Sequence, residues 1–195
     1  RLYREKPNDV EVSDILEALA TELGCLDEVV ALIEDQVDGI HDSRVRLQLF
    51  MKLGRLHDEA LNEPDEAEAS YERALDIDPG YEPALDGLMN LALADERFDK
   101  QLNVYERKIR GVSGSDEKRE LLWKMFEIWE GEIGDESRAI ATLERIRLFE
   151  PDDVPTLESL CRLYRSHGEH RHLVEMLTHL AGVVADEDKQ VELYR

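Results

Sequence analysis

Apolar residues fall in helical stripes along nearly the whole chain. Val12, Leu16, Leu19, Ala20 and Leu23 share one face at i, i+4, i+7, i+8 and i+11, the spacing of an amphipathic helix. Ala84, Leu85, Leu88, Leu91 and Ala92 form a second stripe, and Leu157, Leu160, Cys161 and Tyr164 a third. Each is followed by a polar turn carrying Gly24, Asp95 or Gly168, and then by a partner stripe. The partners are Val30, Ile33 and Val37; Leu102, Tyr105 and Ile109; and Leu173, Met176, Leu177 and Leu180. Two further hairpins lie between these. Leu49, Phe50, Leu53 and Leu56 lead through Asn62-Glu63-Pro64-Asp65 into Ala67, Tyr71, Ala74 and Leu75. Leu121, Leu122, Met125, Phe126 and Trp129 lead through Gly134-Asp135-Glu136 into Ala139, Leu143 and Ile146. Asn62 is expected to cap the helix after it, with Pro64 in that helix's first turn, where no amide partner is lost. Strand-like alternation is nearly absent.

The pattern repeats. Pro7, Pro79 and Pro151 stand 72 residues apart, and the same shift superposes Arg1 on Arg73 and Arg145, Glu72 on Glu144, Pro83 on Pro155, and Leu85, Leu88 and Leu91 on Leu157, Leu160 and Leu163. Each 72-residue period holds two hairpins of about 36 residues, a length at which a unit buries its apolar face only against its neighbours. The expected division is into hairpins at residues 8–40, 41–79, 80–112, 113–151 and 152–186. Residues 1–7 read as the tail of a preceding second helix and 187–195 as the start of a further first helix, so the chain is expected to be a piece of a longer array. Apolar stripes cut from their neighbours imply end-to-end self-association through Leu2, Tyr3, Val191 and Tyr194.

Charge narrows the partners. There are 46 acidic against 24 basic residues, a net charge of -22 spread over the length, which repels the phosphates of nucleic acids and anionic membranes. No apolar run reaches the roughly 20 residues of a membrane span. Cys25 and Cys161 occupy non-equivalent places in the repeat and are expected as reduced thiols, which fits a cytoplasmic setting; a targeting segment would lie before Arg1.

The segment Tyr71-Glu72-Arg73-Ala74-Leu75-Asp76-Ile77-Asp78-Pro79, with Ala67 before it and Leu53-Gly54 in the preceding helix, resembles the second helix and closing proline of a tetratricopeptide repeat. Ala139, Leu143-Glu144-Arg145-Ile146 and Pro151 repeat it more loosely. The hairpins from Val10, Glu82 and Val154 carry Val29 or Val30, Leu102 and Leu173 where the family has a small residue, which implies wider helix crossings there. Trp123, Trp129-Glu130 and Arg138 also resemble the half-tetratricopeptide repeats of RNA-processing scaffolds, but the Gly54, Ala67, Tyr71, Ala74 and Pro79 set fits the first family better. The resemblance implies an all-α, right-handed superhelical solenoid of about five hairpins, used as a non-catalytic scaffold for protein–protein interaction.

Chemistry is sparse. No Gly-rich loop opens a helix after a strand, and no Ser, Cys or His has a positioned base, so neither a cofactor nor a catalytic residue is assigned. His172, Glu175 and His179 lie at i, i+3 and i+7, a spacing that fits zinc, beside His167 and His170. The run reads as a solvated helix face and not as a metal site. The resemblance places the candidate groove on the first helices, at Asp14, Arg55, Asp58, Asp86, Asn90, Trp123, Glu127, Glu130, Glu158 and Arg162. Glu11, Glu22, Glu59, Glu120 and Arg165 surround them, giving ten carboxylates against three arginines. Such a face attracts a basic or amphipathic protein segment, with Met51, Leu93 or Trp123 as apolar contacts. The alternative is a regulatory or scaffolding segment of a larger protein whose enzyme or sensor domain lies outside this sequence.

Overall fold

The computed structural model describes residues 10–184, with side chains from residue 15. The expected terminal pieces, with Leu2, Tyr3, Val191 and Tyr194, lie outside the described residues. Ten α-helices follow one another: α1 (Val10–Leu23), α2 (Leu26–Val37), α3 (Ser43–Arg55), α4 (Pro64–Ile77), α5 (Glu82–Ala94), α6 (Phe98–Gly111), α7 (Ser115–Glu127), α8 (Glu136–Arg147), α9 (Val154–Ser166) and α10 (His170–Val183). No strand occurs among the described residues. The 72-residue period is kept to the residue, since α3, α4, α5 and α6 begin 72 positions before α7, α8, α9 and α10.

One repeated feature is absent from the sequence reading. α3 and α7 each continue into one wider, π-helical turn, Leu56–Leu61 and Ile128–Ile133. Both turns are closed by a residue in the left-handed region, Asn62 (φ 57) and Gly134 (φ 74). Asn62 therefore ends a helix and does not cap the next one: its N–H donates to the His57 carbonyl, and Glu63 takes the N-terminal position before Pro64 without capping the helix, its carboxylate bonding His57 instead. The short polar side chain of Asn tolerates this backbone, which explains why a helix stop looked like a start. Side-chain caps stand elsewhere. Asp42, Asp135 and Asp153 accept from the backbone N–H groups of Arg44, Arg138 and Thr156 at 2.9, 3.0 and 3.0 Å.

The described residues gather into two compact units, one up to Lys108 and one from Ile109 onward. In the first, Ile33 and Val37 of α2, Phe50 and Leu53 of α3, Ala67, Tyr71 and Ala74 of α4, and Ala84 and Leu85 of α5 are buried together. In the second, Leu122, Leu143, Ile146, Leu157, Leu160, Met176 and Leu180 are buried at the corresponding stripes. Tyr71 sets the spacing of the first unit. A Cβ on Gly54 of α3 would lie 2.5 Å from its ring, and one on Gly87 of α5 would lie 2.6 Å from it, so the ring is seated between two backbones that only glycine allows so near.

Four expectations shift. Leu19 and Leu23 are exposed, at 49% and 76%; Leu91, the equivalent of Leu19, sits beneath α4, whereas no described helix precedes α1. In α6 the buried positions are Gln101, Leu102 and Val104, with Tyr105 and Ile109 only half-buried. The hairpin turn of α5 and α6 is made by Glu96 (φ 52), not Asp95, in register with Gly24 (φ 68) and Gly168 (φ 70). The wider crossing expected from Leu173 is not seen, as α9 and α10 are close along their length. Leu173 is half-buried at the edge of that seam and does not hold the helices apart, while in α6 the buried Gln101 amide is wedged against the Ala92 carbonyl at 3.1 Å.

Candidate functional site

In the first unit α3 and α5 flank an open cleft of about 490 Å3. Arg55, Asp86 and Asn90, three of the groove candidates, line it together with Gln48, Met51, Lys52, Glu59, Tyr71 and Pro83. Tyr71 forms its floor. Burial, with the nearby carboxylates of Asp58 and Glu59 adding to it, pushes this phenol up to about 12 from an ordinary 10.0. The ring thus reaches the cleft as a neutral hydroxyl held by two glycines.

Much of the charge at this face is already compensated. Glu17 of α1 meets Lys52 at 3.0 Å and Arg55 at 2.8 Å, and Lys108 of α6 meets Asp86 at 2.5 Å. Asp58 and Glu59 have no ion-pair partner among the described residues. Asp58 is half-buried in the π-helical turn and does not line the cleft, although its charge reaches Tyr71. Asp14 lies on α1, with its side chain outside the described residues.

In the second unit Glu130 and Arg162 come together at 2.6 Å. Glu127 and Glu158 are exposed, with no ion-pair partner among the described residues. Trp123 is half-buried and packs edge-on to Phe126, with ring centroids 5.1 Å apart at 89°. Leu93, a proposed apolar contact, is 53% exposed, whereas Met51 is half-buried in the cleft wall.

Sequence reasoning missed Glu17, Lys52 and Lys108 as the partners that quench the groove charges. Lys52 carried a signal, three residues before Arg55 on one helix face; Glu17 and Lys108 become neighbours only on folding. The histidine run divides between partners. His172 bonds Glu169 at 2.7 Å and stacks on Tyr164, while His179 bonds Asp152 at 2.8 Å. Among the described residues no three His, Cys, Asp or Glu side chains converge as metal ligands. Cys25 and Cys161 are both free thiols, and burial pushes the Cys161 thiol up from its ordinary value. No described helix is long and apolar enough to cross a membrane.

No family's sequence model matches the chain, and no curated protein matches it. Solved structures are similar at low identity. YrrB, described as a TPR protein with an unusual peptide-binding site, shares 16% identity over 75% of this chain and 71% of its own, with a TM-score of 0.42. MamA shares 15% over 89% and 95%, at 0.43. A putative kinesin light chain of Podospora anserina with nearly identical TPR-like repeats shares 16% over 92% and 96%, at 0.43. The described helices themselves, with the Leu53-Gly54 and Tyr71 packing and the kept 72-residue period, make each unit an all-α run of helical hairpins similar to tetratricopeptide repeats.

Proposed function

We propose that this chain is a non-catalytic scaffold that binds a segment of a partner protein on its first-helix faces, in the first unit within the cleft between α3 and α5. The observation that supports this most is the composition of that cleft. A rigid phenol floor and the apolar walls of Met51 and Pro83 stand beside Gln48, Asn90 and the uncompensated Glu59. That is the mixture of apolar anchor site and orienting polar groups that a peptide needs. A basic or amphipathic segment suits it, because the carboxylates left without countercharge are Asp58 and Glu59 here and Glu127 and Glu158 in the second unit. Arg55 and Asp86, already paired, orient a ligand and do not attract one. Each exposed charge contributes about 0.2 to 1 kcal/mol, so affinity rests on Met51 and Tyr71, with the carboxylates setting encounter rate and sign preference.

A peptide array probed at low and high salt tests the proposal. Basic peptides are expected to be retained, more weakly at high salt, and to lose several-fold in affinity to a Glu59→Lys, Asp86→Lys double variant. Retention that ignores both salt and the reversal would remove the interaction from this cleft.

A further inference from the structure

α5 has a second side. Away from the peptide cleft, its Leu88, Leu91 and Ala92 floor a slot of about 280 Å3 that is walled by α4 and α6 and carries Glu72, Lys100 and Val104 at its edges. The second unit contains the same place, 72 residues on, and there it is filled. Ala92 becomes Tyr164, which is 6% exposed. The Tyr164 hydroxyl donates to Glu144 at 2.9 Å, and its ring stacks on His172 with centroids 5.1 Å apart at 29°. Glu144 stands in the register of Glu72, His172 in that of Lys100, and Met176 in that of Val104. In the first unit the carboxylate is kept, a lysine stands in place of the histidine, and the ring between them is missing.

We propose that this slot receives the side chain of a tyrosine from a partner segment, docked as Tyr164 is docked within the chain. Its volume is just below the range of about 300–1,000 Å3 usual for whole ligands, which suits one ring and not a cofactor. The charges are complementary to a phenol. Glu72 is held at the rim by Arg107, at 2.7 and 3.0 Å, and accepts the hydroxyl. Arg97 and Lys100, both drawn over the mouth by Glu68, face the ring as cations do in cation–π contacts. A Phe lacks the hydroxyl donor and forgoes the bond to Glu72. The slot faces away from Pro83, Asp86, Gly87 and Asn90 of the α3–α5 cleft, so the two surfaces act independently and this inference does not rest on the scaffold reading.

The test is titration of the full chain with N-acetyl-tyrosinamide and N-acetyl-phenylalaninamide, observed by methyl NMR. The tyrosine probe is expected to shift Leu88, Leu91 and Val104 at least several-fold more tightly than the phenylalanine probe, and Glu72→Gln to remove roughly a tenfold advantage, the scale of a hydrogen bond to a charged acceptor. Ala92→Tyr fills the slot from within and is expected to raise Tm and abolish the shifts. Val104→Met, the residue the second unit carries, fills it more gently and is expected to weaken binding if Ala92→Tyr perturbs folding. Absent shifts, equal binding of the two probes, or binding unchanged in both filled variants would each overturn the proposal.

Discussion

The Tyr71 ring occupies room that Gly54 and Gly87 leave open, and in the second unit the same three positions are Phe126, Leu143 and Ser159. The large residue moves from the second helix to the first between the two units, and the second unit carries side chains at all three positions, a larger total that its own helix spacing accommodates. Gly54 and Tyr71 are marked by the tetratricopeptide likeness, but Gly87 is not, because its reason is a ring belonging to the preceding hairpin. The phenol also carries a pH signature. Its folded value of about 12 exceeds the ordinary 10.0, so the proton is held more tightly in the folded chain. The associated stability is present in full below about pH 10 and is lost as pH rises toward 12. Tyr71→Phe removes that dependence. The urea-midpoint difference between wild type and Tyr71→Phe is expected to be flat up to about pH 10 and then to drift in favour of the variant. A difference that stays flat to pH 12 would mean that the phenol is not shielded.

At the scale of elements, the stripes in the sequence suffice for ten helices and the closing prolines for their pairing, because helical periodicity and proline restrictions act locally. The π-helical turns were not legible, since one extra residue per turn leaves no mark on a stripe read at 3.6 residues. The hairpin turns show how far local chemistry carries. Gly24 and Gly168 announce a left-handed residue, whereas Glu96 occupies the same place with a side chain that pays for it. For a residue other than Gly or Asn this region costs roughly 1–2 kcal/mol, against about 0.4–1 kcal/mol of extra unfolded-chain entropy that glycine brings. Glu96→Gly is therefore expected to stabilise the chain by about 0.5–1 kcal/mol. Gly168→Ala, whose Cβ meets nothing within 4 Å, is expected to cost about 1 kcal/mol or slightly more from backbone strain alone. Chemical denaturation of the two variants checks both signs, and a destabilised Glu96→Gly would show that Glu96 holds a contact that outweighs its backbone. The groove was half legible for a related reason. Which residues a first helix presents follows from periodicity, but which of their charges survive depends on Glu17 and Lys108, brought in from other helices.

On the scale of the whole chain, the kept period makes hairpins interchangeable parts joined by nearest-neighbour interfaces. Removing residues 80–151 deletes one full period and sets α4 directly before α9, where α5 stood. The apolar stripes of α5 and α9 match at Leu85 and Leu157, Leu88 and Leu160, and Leu91 and Leu163, so α9 offers α4 nearly the surface it had. One position does not match. Tyr71 then meets Ser159 in place of Gly87, and a Cβ there stands near 2.6 Å from the ring, with Gly54 and α3 blocking retreat on the other side. The shortened chain is expected to remain helical and to unfold cooperatively, but with a penalty of about 1–3 kcal/mol from overpacking. Ser159→Gly in the shortened chain is expected to recover most of that loss, whereas the same substitution in the full chain, where Leu143 stands in the register of Tyr71, is expected to destabilise by about 0.5 kcal/mol through helix propensity. Far-UV circular dichroism with urea midpoints for the four proteins decides the matter. A shortened chain that is unfolded with or without Ser159→Gly would show that stability is not divided among neighbours, and a folded shortened chain that gains nothing from Ser159→Gly would show that the Tyr71 ring moves aside when its glycine is lost.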